Sequence, residues 1–558
     1  MKRLFFVLGL AVALFACNDE TTNTGEIPAD DPGTPTDTIP APVPNLVNSD
    51  ADALALAQAG FTSWKSISAS VAFVYEVATD GANSFEGGES AGGPLISKFT
   101  ITPTNSYTVK LYNAFYSAIT NANKAIDAIE PVPAAAKVSG DIVLTTAAKD
   151  KAIANAKFIR ALSYWYLVRS YGKVPLFLHA EDAKDAPRAA IDDIYTQIVN
   201  DLEEAVPGLP LTSNFKSQPS KYSAKGLLSS VYLSWAYAKE AVNSNYLEKV
   251  VEFATEVIES GDFSLIEDVS RNVGRYNKNG PELLFVFNHE FGATGRDGGN
   301  HQSHCSFTFA FDYSEEYHMG LSDMELYNRW DDKDQRKEYN YPSQLFNADD
   351  RTLWTFLPPQ TYPPFGKGID RSYERGPNDS PYERDFDRVE LRLAEIILNK
   401  AEALIDLNRV PEGIQTLNLI RRRAYFYQPD PAAFDLSSSL TKDQATDALR
   451  LEREHEFIYE SKHWFDLTRW RTLIQTVKSV ENWAAYKQYT DLNAAGIPNI
   501  IKHNLQHLHE KVKNVGIQHY LFPLPKTALD GNPNLTQNYG YDSYNHPVEA
   551  KFNESIYK

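Results

Sequence analysis

The sequence predicts a mostly α chain, a scaffold of antiparallel helical pairs carrying long irregular loops and a few short strands. Three observations predict it. Apolar residues recur at helical spacing through several long segments. Short breaks containing Gly or Pro separate consecutive segments. Residues 262–387 abandon that spacing for a Gly-, Pro- and aromatic-rich stretch, which reads as one long insert. The 558 residues alone would suggest roughly three or four domains at 100–200 residues each. Stacked helical pairs remove that inference, because each pair buries its face against the next and length no longer counts domains.

The N-terminus comes first. Lys2 and Arg3 precede an apolar run, Leu4–Ala16, too short to span a bilayer and suited to a signal peptide. It ends at Leu14-Phe15-Ala16-Cys17, which resembles a bacterial lipobox despite the large Phe15. Cleavage before Cys17 would leave that residue carrying diacylglycerol and an N-acyl chain such as palmitate, an anchor without a span. The alternative is an ordinary secretory signal with an incidental cysteine. Residues 18–49 hold six prolines, six acidic residues and no Lys or Arg, so they read as a disordered, self-repelling tether. Its reach is about 30 Å as a coil and about 100 Å as polyproline II.

From residue 50 the chain reads as a single body of three parts. The N-terminal part, 50–260, places Leu111, Phe115, Ile119, Ala122 and Ile126 on one face of a helix over 106–130, stopped by Pro131. A second helix over 147–171 ends at Gly172. Further helices read at 191–206, 221–241 and 246–260; Leu247–Gly261 looks like the second helix of a tetratricopeptide unit. The insert follows, with strand character at Leu283–Asn288. The C-terminal part, 388–541, predicts helices at 388–408, 411–424, 441–461 and 463–478; Leu393–Asn408 with Pro411–Arg423 looks like another tetratricopeptide unit. Residues 480–520 read as mostly loop, and 542–558 as a tail.

Composition excludes some functions. With 54 basic and 73 acidic residues the net charge is −19, and no Lys/Arg-rich run offers a phosphate-binding surface, which argues against nucleic acid. Two cysteines cannot make a disulfide scaffold. No P-loop or dinucleotide fingerprint is present, and no cofactor is expected. Asp331, Asp332 and Asp334 could hold a structural calcium ion, but lack the Gly and Glu of an EF-hand loop. His301, His304 and Cys305 could be read as metal ligands, with a surface loop the simpler reading; His503 and His507, at i and i+4 near His509, raise the same option.

Four ordered motifs carry a specific resemblance. Arg392-Leu-Ala-Glu395 followed by Ala401-Glu402-Ala403, Leu417-Asn418-Leu-Ile-Arg421-Arg-Arg-Ala424, Glu452-Arg453-Glu-His-Glu456-Phe457 with Asp466 and Arg469 beyond it, and Phe522-Pro523-Leu-Pro525 followed by Asn532-Pro-Asn534 resemble, in order, motifs of the SusD/RagB family of outer-membrane nutrient-binding lipoproteins. Asp19 and Glu20, next to Cys17, resemble the acidic export signal of surface lipoproteins in the Bacteroidetes. Ser461 and His463 stand where the family usually has Gly and Arg, and Tyr539 where it usually has Pro. Physically, Glu452, Glu456 and Glu460 share one helical face beside Arg421, Arg422, Arg423 and Arg453, which points to interhelical ion pairs. The competing reading is an acid/base carboxylate pair.

The resemblance implies a non-catalytic binder of oligosaccharide or polysaccharide. It would sit lipid-anchored on the outer membrane, exposed at the surface, and deliver its ligand to a SusC-like TonB-dependent transporter. A peptide-capturing member of the family and a surface glycoside hydrolase are the alternatives. An aromatic ring packs against the C–H face of a sugar while neighbouring polar groups bond its hydroxyls. That chemistry nominates Trp330, Trp354 and Tyr362, then Tyr313 and Tyr317, all in the insert; the same rings could instead form a satellite core. Asp80 and Asn83, in a loop where family members often place ligand contacts, complete the candidates.

Overall fold

The computed structural model describes residues 47–84, 92–271, 278–289, 319–320, 324–346, 353–355, 367, 387–482 and 499–550. Cys17, Tyr313, Tyr317 and Tyr362 lie outside the described residues, as do His301, His304 and Cys305. Residues Leu46–Lys558 fall in one compact unit.

The helical expectation holds. Helices α1 (Asp50–Lys65) and α2 (Ser68–Val77) lead into strand β1 (Asn83–Ser84), α3 (Gly92–Ser97) and α4 (Ser106–Ile129). The short parallel strands β2 (Ala134–Ala135) and β3 (Leu144–Thr145) precede α5 (Thr146–Tyr171). Then come α6 (Ile191–Gly208), α7 (Lys221–Tyr237) and α8 (Ser244–Ile258). Local chemistry sets the ends. Asn105, Thr145, Ser220 and Asn243 each accept backbone N–H bonds at an N-terminus, and Gly172 closes α5 with φ of +71°. Neighbours pack in sequence, α4 on α5, α5 on α6, α6 on α7 and α7 on α8. Helix α5 is buried almost all round, because α1, α4 and α6 all lie against it. Its approach to α1 needs Gly60, where a Cβ would stand 2.8 Å from Ile159 Cγ2.

The insert leaves and rejoins the scaffold at one place. Strand β4 (Leu283–Phe287) pairs antiparallel with a strand over Arg388–Arg392. Between them lie β5 (Met319–Gly320), α9 (Met324–Arg329), α10 (Gln335–Asn340), β6 (Gln344–Phe346) and β7 (Leu353–Thr355), making the Arg388–Arg392 strand β8. Here the sequence reading is corrected. Residues 388–392 are not the first turn of a helix: β8 satisfies its backbone against β4, and α11 begins at Leu393 (Leu393–Asp406). Helices α12 (Val410–Ala424), α13 (Lys442–Phe457), α14 (His463–Arg469) and α15 (Leu473–Ser479) follow. The expected single helix over 463–478 is broken at Arg471, whose φ is +62°. Residues 480–520 are also corrected: α16 (Asn499–Asn514) is a 16-residue helix within the stretch read as loop. Helix α17 (Lys526–Gly531) closes the series.

The family-motif residues meet in a buried ion network. Arg392, at the end of β8, reaches Glu282 at 2.7 Å, Glu456 at 2.6 Å and Glu460 at 2.7 Å. Glu282 and Glu456 also take Arg423 from α12. Arg336 from the insert bridges Asp334, Glu452 and Glu456, while Arg421 reaches Glu452 and Lys367 reaches Glu460. A second set joins Arg453 and Arg469 to Asp466, and Arg469 to Glu402. Glu395 holds Lys462. Burial opposes the charge of Glu460, yet Arg392 and Lys367 outweigh it and hold that carboxyl at about 2.

The end motif is a hydrogen-bonded clamp. Asn538 donates to the carbonyls of Tyr171 and Phe522, and the Phe522 N–H donates to Ser170. Pro523 is buried beside it, Asn534 donates to Asp185, and Asn418 exchanges two bonds with Leu436. The tail returns to this clamp: Gln537 and Glu549 pair through their backbones with Pro547 and Gln537, and Glu549 meets Lys173 at 3.0 Å.

Arg392→Met should leave Glu282, Glu456 and Glu460 facing one another, and urea unfolding at pH 7 should show a loss of ~3–5 kcal/mol. Glu460 is held below its ordinary 4.5. Its stabilisation is therefore full above pH 4.5 and fades as the pH falls toward about 2, so the deficit of the variant should narrow in acid.

Candidate functional site

The nominated residues divide by what the fold does with them. Asp80 is 5% exposed and lies in the turn after α2. Its carboxylate accepts from His463 Nε2 at 3.0 Å. Lys511 of α16 donates to the carbonyls of Thr79 and Ala82 on either side of it. Asn83 is 1% exposed and pairs with Gly320, so β1 and β5 tie this turn to the insert. Asp80 and Asn83 thus sit in the wall that anchors the loop, and the structure joins them to each other's neighbourhood without presenting either at the surface.

Trp330 is likewise inside. It is 3% exposed, its ring stacks on His455 at 4.0 Å and 6°, and its Nε1 donates to Asp334 at 3.0 Å. The nomination of Trp330 for direct sugar contact gives way to a packing role at the root of the insert. Trp354 lies in β7, opposite Leu345 of β6. The acidic residues read as a calcium option are otherwise engaged: Asp334 with Arg336 and Trp330, Asp332 with Lys337, and Asp331 with Tyr425.

The turn at Asp80 has unusual electrostatics. Burial opposes charge on His463, but the bond to Asp80 and its negative charge push the imidazole up to about 10. Burial brings Lys511 down to about 7 against the pull of Asp80, and burial raises Glu76 to about 7 despite the Ser461 N–H donated to it. Asp80, Glu454 and His463 lie close enough to surround a cation. A protonated imidazole, with the Lys511 ammonium bonded to the same turn, already supplies the positive charge there.

Two clefts among the described residues escaped the sequence reading. One, about 440 Å³, is floored by Tyr112, Tyr116 and Phe177 and rimmed by His179, Asp182 and Lys184. The other, about 170 Å³, lies between α5, α7 and α14, with Arg169 on its wall. Their residues come from α4 to α7, α11, α13, α14 and the C-terminal segment, so no local pattern marks them.

Residues 272–541 match the model of the SusD family, and residues 94–233 match a family model described as starch-binding associating with outer membrane. The chain belongs to the SusD family. SusD-like protein P2 of Formosa agariphila is 24% identical over 405 residues, covering 68% of this chain and 75% of that one. A SusD-like protein of Bacteroides ovatus is 26% identical over 401 residues, 68% of each. Among solved structures, a SusD homolog from Bacteroides thetaiotaomicron superposes with a TM-score of 0.74 at 21% identity, covering 88% of this chain and 97% of that one. A laminarin-binding SusD-like protein gives 0.63 at 20%, covering 88% and 100%. A structure with a xylogluco-oligosaccharide gives 0.65 at 21%, covering 90% and 100%.

Among the described residues no helix is long and apolar enough to cross a membrane. Two departures of this SusD-family chain from its motifs are structurally explicit. Ser461 has φ of +61°, the left-handed region that suits the usual glycine, and His463 meets Asp80 in place of the usual arginine. Ser461→Gly should raise the unfolding free energy by ~0.5–1 kcal/mol in a denaturant titration, because it removes the Cβ strain. His463→Gln should cost ~3–5 kcal/mol at pH 6 by uncovering Asp80. The folded imidazole titrates above its ordinary 6.5, so the pair contributes fully below that pH and fades toward about 10. The gap in melting temperature between the two proteins should shrink over that range.

Proposed function

We propose that this protein captures oligosaccharide or polysaccharide at the outer-membrane surface and passes it to a SusC-like TonB-dependent transporter. The observation that carries this reading is the family match together with whole-length structural neighbours named for laminarin binding and for a bound xylogluco-oligosaccharide. The lipobox-like Cys17 and the acidic tether support a lipid-anchored, surface-exposed location. The insert supports the ligand class: Trp354 and Tyr362 stand beside Phe356, Phe365 and four prolines, with Tyr313 and Tyr317 earlier in the same segment. An aromatic platform needs a rigid mounting, and Trp330, Asp334 and Arg336 fix the insert to α13 by stacking and ion pairing.

Capture without turnover is the chemistry this arrangement supports. A general acid and base need one free carboxyl and one free carboxylate flanking a cleft. Glu452, Glu456 and Glu460 are instead each held by arginine.

Affinity electrophoresis through gels containing laminarin, xyloglucan, starch or pectin should retard the protein in at least one of them. Trp354→Ala combined with Tyr362→Ala should weaken that retardation about tenfold, while Trp330→Ala should lower the melting temperature first. Release of reducing ends from any of these glycans would overturn the binding reading in favour of a hydrolase. Retention of peptides with no glycan retardation would favour the peptide-capturing reading. Extraction in mild detergent should bring down a large β-barrel protein, and a strictly monomeric particle would count against delivery.

A further inference from the structure

Arg169, half-buried in α5, differs from most arginines of the scaffold. Arg160, Arg336, Arg392, Arg423, Arg453 and Arg469 each contact at least one carboxylate. Arg169 makes no ion pair among the described residues, in a chain with 73 acidic against 54 basic side chains. Its guanidinium lies between two rings, 3.3 Å from the centroid of Trp165 and 3.7 Å from that of Phe465. Two rings therefore pack against the guanidinium, and recognition falls to its N–H groups. Nε spends its proton on the Trp165 carbonyl of its own helix, at 3.1 Å. Nη2 is buried and makes no hydrogen bond. An unpaired buried donor on a full charge is costly to keep, and the cost falls when an acceptor of opposite charge arrives.

The surroundings favour such an acceptor. Arg169 opens onto the cleft of about 170 Å³ between α5, α7 and α14. Five cationic side chains line it against two carboxylates, Glu395 and Asp466. Three of the five cations pair with these carboxylates, Lys462 with Glu395 at 2.9 Å and Arg453 and Arg469 with Asp466, and Arg169 is not among them. The cleft is thus positive inside a protein of net charge −19. It reaches solvent past Ser234 and the exposed Ala238. A cavity near 150 Å³ accommodates a six-membered ring, so this one matches a single sugar ring in size.

We propose that this cleft is an oxyanion site, taking a carboxylate or sulfate group on a molecule of monosaccharide size, with the Arg169 N–H edge as its receptor. A planar carboxylate suits the two-pronged geometry of guanidinium, and the stacked Trp165 and Phe465 rings hold that edge in place before the ligand arrives. The site is separate from the insert and does not depend on its binding glycan.

Isothermal titration of the mature protein with galacturonate, with sodium sulfate and with neutral galactose tests this. Galacturonate or sulfate should bind and galactose should not; uronate alone would identify a sugar acid as the source of the anion, sulfate alone a sulfate ester. Arg169→Gln should weaken the bound anion at least tenfold while leaving glycan retardation by the insert unchanged. Thr468→Trp, which keeps the charge and fills the cleft, should abolish binding as well, and it decides the matter if Arg169→Gln does not fold. Absence of heat with both anions, equal binding of galactose, or binding unchanged in the variants would overturn the proposal.

Discussion

The structure depends on Arg392 finding Glu456. Both are buried, and each would be prohibitively costly alone in a medium that screens charge poorly. Their solution is a lattice of alternating charge, in which Glu456 is shared by Arg336, Arg392 and Arg423, and Arg392 by three glutamates. No member can leave without stranding others. The lattice joins β8, α12 and α13 of the C-terminal body to Asp334, Arg336 and Lys367 of the insert. One constraint therefore fixes both the packing of helices and the attachment of the segment that carries the ligand-facing aromatics of the proposed function.

A second junction, smaller and of different chemistry, does similar work at the other edge of the insert. The turn holding Asp80 is pinned by His463 and Lys511 and by the β1–β5 pairing. Ser461 and His463 lie two residues apart, and both contact the α2 end of the scaffold, Ser461 through Glu76 and His463 through Asp80. These two departures from the family motif are in this way local to one joint, where the helix α13–α14 connection meets the α2 turn.

Much of this was legible because it is local. The helices from α4 to α8 announce themselves by apolar spacing, and caps such as Asn105 and Ser220 stand where the reading needs them. The carboxylate stripe of Glu452, Glu456 and Glu460 beside the α12 arginines announced ion pairing before any distance was known. What failed was long-range. The Arg388–Arg392 strand looks helical until Leu283–Phe287, a hundred residues earlier, is laid beside it. Trp330 reads as an exposed platform because His455, its stacking partner, is far away in the chain. Helix α16 was obscured by its polar, histidine-rich surface, although Leu505, Leu508 and Val512 face inward at helical spacing. Arg169 gave no signal at all, since an arginine without a partner differs from a paired one only in three dimensions.

The β4–β8 ladder has a wider consequence. The two ends of the insert are held side by side, and among the described residues anchors such as Trp330 and Arg336 tie the segment between them to the scaffold. The entropy of closing such a loop rises only with the logarithm of its length. A bacterium could therefore exchange the intervening hundred residues for a longer or shorter set while the helical body, its charge lattice and its terminal clamp stayed as they are. The fold behaves as a socket, and on the proposed function ligand choice can be rewritten in the plug.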